Sequence, residues 1–523
     1  MNVAEVLERN TLTFPHGVAV VDESGAMLSW IELNEKANRF GNALLQMGLR
    51  KGDRLGIILE NSCTYLVILL GAAKVGVITA GINNKLSRDQ RGKLLDSLSP
   101  KVLIVQDKFS SFIQGIEDQV EALESIIGLG KDHGFSHDYA GLMSKSPSHV
   151  PDVVVEDDDV FILLYTSGTT SLPKGAIVTH RCMFVRMMML YMGLRLGRDE
   201  IVLDGLPLYG GAGMMIAFGA LFAGSRLIIH IVKGKSWVEL IEREKVTTHS
   251  MTATRYKLIT DFIAGSDQIH ALKSIRKMQL GGMALSSSQF RHIAEYFGVP
   301  GSALFSWYGC SEAGVPVSLL TPEEIIPALQ SPRGSGLDRR LESMGRPTPF
   351  VAVRVVDEEG RDVKPGETGE IIMRGDTLMK GYWNLPDVNE RAFRGGWYHS
   401  NDYAAKDEEG FLFFAGRKDD LIRSASYFVR PAEVERVISG HPAIEEVAVF
   451  GISHEIWGEV VTAACSLKPG QDLDEEGLKQ YCKENMGGYE VPRAIHFLEA
   501  LPKDTGSTKV LVRELRARFG PKT

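Results

Sequence analysis

The stretch YTSGTTSLPKG, residues 165–175, follows the apolar run VFILL at 160–164. A run of this length that is apolar throughout predicts a buried strand of a largely parallel sheet, and the segment after it predicts a loop. In that loop Gly168 lets the backbone approach an anion, and Lys174 offers a mobile positive charge. It is not a Walker loop, because Pro173 precedes Lys174 where that motif has glycine. The pattern predicts a phosphate-binding loop, with hydroxyl donors at Thr166, Ser167, Thr169 and Thr170.

The rest of the chain divides by pattern into three regions. From about residue 53 to residue 309, apolar strand-like runs alternate with amphipathic stretches such as WVELIEREK, which is typical of an α/β fold. After residue 344, short strands with turn signals predict a small β-barrel-like subdomain. Beyond GRKDD at 416–420 the chain reads as a small α+β unit. We predict a large N-terminal domain of doubly wound α/β subdomains plus the barrel-like part, residues 1–418, and an α+β C-terminal domain, residues 419–523.

Composition narrows the classes of partner. The chain has 523 residues and a formal net charge of −8, without a long run of lysine or arginine, which argues against nucleic acid. The tract Tyr65 to Ile82 approaches the length of a membrane span, but Lys74 and three glycines interrupt it, so we predict a buried helix and strand and no transmembrane segment. No signal peptide is recognised at the N-terminus. The five cysteines are scattered and odd in number, which favours free thiols in a reducing cytoplasm over zinc: Cys63, Cys182, Cys310, Cys465 and Cys482.

Two further motifs carry residues suited to a nucleotide. SWYGCSE, residues 306–312, follows an apolar run and is predicted to lie at a strand end. There Tyr308 offers a flat ring for a purine, Ser311 a hydroxyl, and Glu312 a hard oxygen for Mg²⁺ bridging phosphates. GWYHSND, residues 396–402, ends in Asp402, which can accept hydrogen bonds from two ribose hydroxyls.

These motifs resemble, in order, those of the adenylate-forming superfamily, which includes acyl-CoA synthetases, luciferases and the adenylation domains of peptide synthetases. GGMAL at 281–285, GETGEIIMRGDTLMKGYWNLPD at 366–387 and LPKDTGSTKVLVRELR at 501–516 match further motifs of that superfamily, and the resemblance runs from Leu28 to Arg516. It implies the cofactors ATP and Mg²⁺ with CoA as co-substrate. A carboxylate would attack the α-phosphate to give an acyl-adenylate, which a thiol would attack in a second step. Between the two steps a mobile C-terminal domain would rotate.

The resemblance also assigns residues to roles. Lys509 would be the cation of the adenylation step, with Thr166 and Glu312 as further catalytic residues and metal ligands. Arg417 joins Asp402 at the ribose, Asp419 is the hinge, and Ser426 borders the CoA channel. The nucleotide-binding set then comprises Thr166, Ser167, Gly168, Thr169, Thr170, Lys174, Gly282, Tyr308, Gly309, Ser311, Asp402, Arg417 and Lys509, and the substrate pocket Tyr209, Gly210, Gly211, Gly281, Met283 and Cys310.

Some positions depart from the superfamily pattern. Gly210 stands where many CoA ligases have histidine, and Ser426 and Thr508 stand where glycine is usual. Asn401 also replaces a glycine, and asparagine is the substitute that most readily enters the left-handed conformation. The methionines of residues 183–192 fit either an acyl tunnel or, more simply, a core helix.

The prediction is an ATP-dependent acyl-CoA synthetase acting on a fatty, alicyclic or aryl acid, since the small apolar pocket residues leave no partner for the ammonium of an amino acid. Alternatives left open are a ligase that passes the acyl group to a carrier protein or performs one half-reaction, a binding protein without turnover, and a luciferase-type oxygenase. A homodimer is a further open alternative.

Overall fold

The predicted strand at 160–164 is present and lies in a seven-stranded sheet, next to its edge strand. The computed structural model describes residues 2–115, 120–131, 133–166, 174–231, 235–252, 272–281, 285–296, 298–418, 422–424, 427–454, 458–503 and 510–520. The strands, in chain order, are β1 Val18–Asp22, β2 Met27–Ser29, β3 Arg54–Ile58, β4 Ile78–Gly81, β5 Val102–Gln106, β6 Ser125–Leu129, β7 His137–Asp138, β8 Val160–Thr166, β9 Lys174–Thr179, β10 Ile201–Asp204, β11 Arg226–Ile229, β12 Thr248–Thr252, β13 Lys277–Gly281, β14 Leu304–Cys310, β15 Gly314–Leu320, β16 Arg346–Pro347, β17 Ala352–Val356, β18 Thr368–Arg374, β19 Phe393–Arg394, β20 Trp397–Lys406, β21 Leu412–Arg417, β22 Ile422–Ser424, β23 Tyr427–Val429, β24 Ile444–His454, β25 Gly458–Leu467 and β26 Ala494–Phe497.

Helices follow most of the parallel strands. They are α1 Glu5–Thr13, α2 Trp30–Gln46, α3 Cys63–Lys74, α4 Arg88–Leu98, α5 Ser110–Ile113, α6 Tyr139–Lys145, α7 His180–Gly193, α8 Gly211–Ala223, α9 Lys235–Glu244, α10 Ser287–Tyr296, α11 Pro322–Gln330, α12 Gly336–Arg339, α13 Pro386–Ala392, α14 Pro431–Ser439, α15 Glu475–Asn485 and α16 Val512–Phe519. Within the described part of the chain, none of them is long and apolar enough to span a membrane.

The chain forms two compact units, and the first comprises residues 1–352 and 373–398. It contains a seven-stranded sheet in the order β7-β6-β5-β3-β4-β8-β9, which is parallel except for the pairing of β8 with β9. It also contains a nine-stranded sheet in the order β16-β15-β14-β13-β12-β10-β11-β1-β2, whose central strands β14 to β1 are parallel. Sequential parallel strands joined by helices are what the alternating pattern predicted, and the α/β fold is confirmed.

The apolar tract at 65–82 forms the buried helix α3 and the buried strand β4, as the sequence predicted. Every residue of α3 except Thr64 is buried, and the ammonium of Lys74 pairs with the carboxylate of Glu8 at 2.9 Å. Gly71 permits the close approach of α2, because a β-carbon there would lie 2.7 Å from the carbonyl oxygen of Ala37. The tract therefore stabilises the core of the first unit by burying apolar surface.

The second unit comprises residues 353–372 and 399–523. In it β20 pairs antiparallel with β21, and β17 and β18 belong to the same sheet. Its C-terminal part is a second sheet in the order β23-β22-β25-β24, with β26 parallel to β25, covered by α14, α15 and α16. This is the α+β region that the sequence predicted. The predicted domain boundary at residues 418/419 stays a prediction, and the hinge residue Asp419 lies outside the described residues.

Candidate active site

Strands β8 and β9 hold the two ends of the predicted phosphate loop opposite each other. They pair antiparallel, with Thr166 in register with Lys174. The body of β8 is fully buried, so this end of the loop is anchored in the core. Lys174 is the first residue of β9. The other predicted phosphate ligands, Ser167, Gly168, Thr169 and Thr170, lie outside the described residues, as does the side chain of Thr166.

The short segment that precedes α13 pairs with β9. The Ile177 amide donates to the Gly381 carbonyl at 2.8 Å, and the Lys380 amide donates to the Ile177 carbonyl at 3.0 Å. This pairing brings the ring of Tyr382 next to Lys174, whose Nζ lies 5.5 Å from the ring centroid. An ammonium at this distance from an aromatic face is attracted to it, so Tyr382 helps to place the loop lysine.

Glu312 lies in the turn between β14 and β15, and it is held through both its side chain and its backbone. The hydroxyl of Tyr382 donates to Oε1 of Glu312 at 3.0 Å. The Glu312 carbonyl accepts from Nη2 of Arg186 at 2.8 Å and from the Met379 amide at 2.7 Å. The predicted metal ligand and the predicted phosphate lysine are therefore joined through one tyrosine.

The surroundings of Glu312 fit a magnesium ion that is bound together with a nucleotide. Mg²⁺ is commonly held by one or two carboxylates plus phosphate oxygens. Glu312 is half-buried, and among the described residues no three His, Cys, Asp or Glu side chains lie close enough to hold a metal ion by themselves. A single carboxylate, together with phosphate oxygens of a nucleotide, is the donor set expected for that arrangement. Of Thr166, the second predicted ligand, only the backbone is described.

Two tyrosines keep their protons next to this carboxylate. The hydroxyls of Tyr382 and Tyr398 are 3.3 Å apart. Burial, followed by the negative charge of Glu312, raises the pKa of both phenols above the ordinary tyrosine value. Both hydroxyls therefore remain hydrogen-bond donors at neutral pH.

The motif at 306–312 differs from the prediction in one respect. The sequence predicted that residues 306–312 lie at the end of a strand, whereas β14 continues to Cys310 because β15 pairs with it antiparallel, with Tyr308 opposite Ser318. Tyr308, Gly309 and Cys310 are therefore strand residues, and the turn that carries Glu312 begins at Ser311.

The predicted pocket glycines have different surroundings. A β-carbon on Gly211 would lie 2.7 Å from Oγ of Ser311, so the start of α8 contacts the Glu312 turn. A β-carbon on Gly281 would lie 1.9 Å from Nε1 of Trp307, so that space is filled by an indole. At Gly210 the nearest atom would be a carbonyl oxygen at 3.4 Å, which leaves room for a side chain. Gly282 and Met283 lie outside the described residues.

Asn61 fixes the loop that leads into this pocket. Its Nδ2 donates to the Leu206 carbonyl at 2.7 Å, and its Oδ1 accepts from the Leu208 amide at 2.9 Å. The adjoining Tyr209 lies against Gly81, where an added β-carbon would be 2.6 Å from the Tyr209 Cβ. The position of Tyr209 therefore depends on two neighbouring segments.

In the second unit the two predicted ribose ligands lie together. Asp402 and Arg417 are opposite in the β20–β21 register, and Nε of Arg417 is 3.2 Å from Oδ1 of Asp402. Asn401 has a φ of +60°, the left-handed conformation that the sequence predicted, and its amide donates to Oε1 of Glu370 at 3.2 Å. The Asp402 amide is bonded to Oγ of Ser400 at 3.0 Å, which fixes the turn before the carboxylate.

The ends of the loop that carries Lys509 are also close together. Lys503 and Val510 form an antiparallel bridge, and the Leu511 amide donates to the Pro502 carbonyl at 2.8 Å. Lys509 itself lies outside the described residues, as does Ser426, the predicted channel residue.

Three residues of the site were not singled out from sequence. Tyr382 stood in a quoted motif without a role, Tyr398 flanked Asp402, and Arg186 stood among methionines in a stretch interpreted as core. A buried arginine in an apolar helix is a signal that could have been used, because such a charge requires partners.

Comparison with known proteins identifies the family to which this fold and this set of residues belong. Residues 7–383 match the family described as AMP-binding enzyme, and residues 433–509 match the AMP-binding enzyme C-terminal domain. The chain belongs to the AMP-binding enzyme family and thereby to the adenylate-forming superfamily.

Its relatives are of similar length. A feruloyl-CoA synthase of Amycolatopsis sp is 30% identical over 97% of this chain and 96% of that protein. A fatty acid–[acyl-carrier-protein] ligase, ScoC, of Streptomyces coeruleorubidus is 30% identical over 95% of this chain and 92% of that protein. Among solved structures, the anthranilate CoA ligase AuaEII in complex with anthranoyl-AMP has a TM-score of 0.87 at 25% identity and covers 99% of this chain and 97% of its own.

Proposed function

We propose that this protein is an AMP-forming acyl-CoA synthetase that activates an apolar carboxylic acid, fatty, alicyclic or aryl. The observation that carries the proposal is the Glu312–Tyr382–Lys174 arrangement at the exit of the phosphate loop. Both side chains contact Tyr382, and this supports a site in which Glu312 would bind the metal and Lys174 the phosphates during nucleotidyl transfer. Family membership and relatives named as CoA ligases support the same reaction.

In the first half-reaction the acid's carboxylate oxygen attacks the α-phosphorus of ATP, the bond to the β-phosphate oxygen breaks, and pyrophosphate leaves. Lys174 and the loop before it would bind the phosphates, and Asp402 with Arg417 would bind the ribose. Glu312 and Thr166 would hold Mg²⁺, whose chemistry is to neutralise charge on the phosphate oxygens. Lys509 would place a cation where negative charge gathers on the α-phosphate in the transition state.

In the second half-reaction the sulfur of CoA attacks the acyl carbon of the adenylate and AMP leaves, while the thiol proton passes to solvent. Because AMP is already a good leaving group, this step needs no additional covalent catalyst on the protein. A rotation of the C-terminal domain about Asp419 between the two steps, with Ser426 bordering the channel, remains part of the proposal.

The substrate proposal rests on the pocket and on the relatives. Gly210, which precedes α8, leaves space next to Tyr209 that an acyl group could use, and no charged side chain was predicted there. Relatives act, by name, on ferulate, long-chain fatty acids and anthranilate. The free cysteines are in keeping with a cytoplasmic enzyme.

A second candidate is a ligase that passes the acyl group to the phosphopantetheine of a carrier protein. The 30% identity to ScoC, whose name specifies an acyl carrier protein, favours it.

The test uses the purified protein with Mg-ATP and a panel of fatty, alicyclic and aryl acids. Each acid is supplied with CoA, with a phosphopantetheinylated carrier protein, or with neither, and thioester and AMP are measured by mass spectrometry. Thioester formed on CoA supports the first proposal, and thioester formed on the carrier alone supports the second. Neither proposal survives if no acid yields an adenylate or a thioester.

A further inference from the structure

We infer that Tyr382 is a positioning residue that holds the metal-ligating carboxylate of Glu312 and the phosphate-binding ammonium of Lys174 in fixed relation to each other. The inference rests on the proposed function, since it takes Glu312 as the magnesium ligand. It adds a role for a residue to which the sequence motifs assigned none.

The backbone of Tyr382 is fixed independently of its side chain. Its amide donates to Oδ1 of Asn389 at 2.6 Å, and its carbonyl accepts from Nδ2 of the same residue at 2.9 Å. The neighbouring Gly381 and Trp383 pair with β9 through a carbonyl and an amide, each at 2.8 Å. The ring therefore projects from a backbone segment that is hydrogen-bonded to β9, the strand that begins with Lys174. Only 8% of Tyr382 is exposed.

The direction of the hydrogen bonds follows from the chemistry of the groups. An ionised carboxylate can only accept, so the Tyr382 hydroxyl donates its single proton to Oε1 of Glu312 at 3.0 Å. The contact with Tyr398 at 3.3 Å must then have Tyr398 as the donor. Tyr398 therefore donates to Tyr382, and Tyr382 donates to Oε1 of Glu312. This chain of hydrogen bonds orients the carboxylate from one side, and Oε2 is the oxygen that the phenol does not bind.

The same ring has a second contact. Nζ of Lys174 lies 5.5 Å from the ring centroid, and this attraction depends on the aromatic face and not on the hydroxyl. The two functions of the side chain can therefore be separated by substitution. Phenylalanine keeps the ring and removes the donor, whereas leucine removes both.

A donor that orients a metal-ligating carboxylate controls the affinity for the metal, and losing such a group typically costs 10- to 100-fold in metal affinity. For Tyr382→Phe we expect the dissociation constant of the metal to rise about tenfold, while affinity for the nucleotide without metal is unchanged. For Tyr382→Leu the affinity for the metal and the affinity for the nucleotide without metal are both expected to fall, because Lys174 also loses its aromatic contact. Tyr139→Phe is the matched control: burial alone raises the pKa of that phenol, and it lies on α6, away from Glu312.

The experiment measures Mn²⁺ binding by electron paramagnetic resonance in the full-length protein with a non-hydrolysable ATP analogue. Binding of the analogue without metal is followed by calorimetry in the same variants. The half-saturating Mg²⁺ concentration for pyrophosphate release is then determined, and kcat of Tyr382→Phe is expected to recover at excess Mg²⁺. If Tyr382→Phe does not fold, Tyr398→Phe takes its place, with an expected rise in the metal constant of about threefold.

An unchanged Mn²⁺ constant in a folded Tyr382→Phe, or an equal change in Tyr139→Phe, would overturn the positioning role while leaving the proposed function intact. The opposite pair of results would also distinguish the positioning role from the proposed function. A weakened Mn²⁺ site in a protein that releases no pyrophosphate with any acid would support the positioning role and refute the proposed function.

Discussion

Replacing Arg186 by methionine should destabilise the first unit, because this arginine is fully buried and bonded to two backbone carbonyls. Its Nε donates to the Thr377 carbonyl at 2.7 Å and its Nη2 to the Glu312 carbonyl at 2.8 Å. Methionine fills similar space and has a similar helix propensity, so α7 itself should persist. The variant therefore reports on the two bonds and on the buried charge.

The magnitude follows from those contacts. Hydrogen bonds from a charged donor contribute about 1.5 to 3 kcal/mol each, so two set an upper limit near 6 kcal/mol. Each carbonyl keeps a second donor, the Met379 amide on Glu312 and Sγ of Cys182 on Thr377. Methionine also carries no cation to desolvate. We therefore expect a loss of about 3 kcal/mol, near the lower end of the range.

The assay is thermal unfolding of the full-length protein by calorimetry. At roughly 2.1 cal/mol/K of unfolding entropy per residue, this loss lowers Tm by about 4 °C in a unit of this size. Arg181→Met is the matched control on the same helix, since Arg181 forms a 2.7 Å ion pair with Asp157 and its side chain is 48% exposed. Such surface pairs contribute at most about 1 kcal/mol. Equal Tm values for the two variants would refute the reasoning.

Three further outcomes are expected. Asn401→Val should lose about 1 to 2 kcal/mol in thermal melts, because φ is +60° at this position, whereas Asn401→Gly should be close to neutral; equal losses would contradict the left-handed turn. Burial lowers the pKa of His180 to about 4, so the unfolded chain binds a proton between pH 6.5 and 4 while the folded chain does not. Stability is thus full above pH 6.5 and falls by about 3 kcal/mol towards pH 4, and this dependence should flatten in His180→Asn. Lys509→Ala should slow adenylation by about a hundredfold or more in single-turnover assays, while Lys503→Ala, which loses a pair with Glu446, should not.

Much of the fold was predictable because its signals are local. The apolar run of β8 and the apolar tract of α3 and β4 each predict burial from a few consecutive residues. Asn401 likewise predicts a left-handed turn. The extension of β14 to Cys310 was missed because it depends on pairing with β15, a partner further along the chain. Local hydrophobicity does not register such pairing.

The site was predictable to the extent that its residues stand in motifs. Glu312, Lys174 and Asp402 were named from sequence, and the structure describes each of them in a fixed environment. The supporting residues were not named, because Arg186 and Tyr382 act through contacts 126 and 70 residues away along the chain. Only the fold brings such side chains together, and this is why the hydrogen-bond chain from Tyr398 to Glu312 became visible in the structure.

The most direct test of the central claim is ATP–pyrophosphate exchange with a panel of acids in the absence of CoA. We predict exchange that requires both Mg²⁺ and an apolar acid, proceeds without CoA, and is lost in Lys509→Ala. Exchange absent with every acid, or exchange that persists without any acid, would contradict the claim that this protein forms an acyl-adenylate.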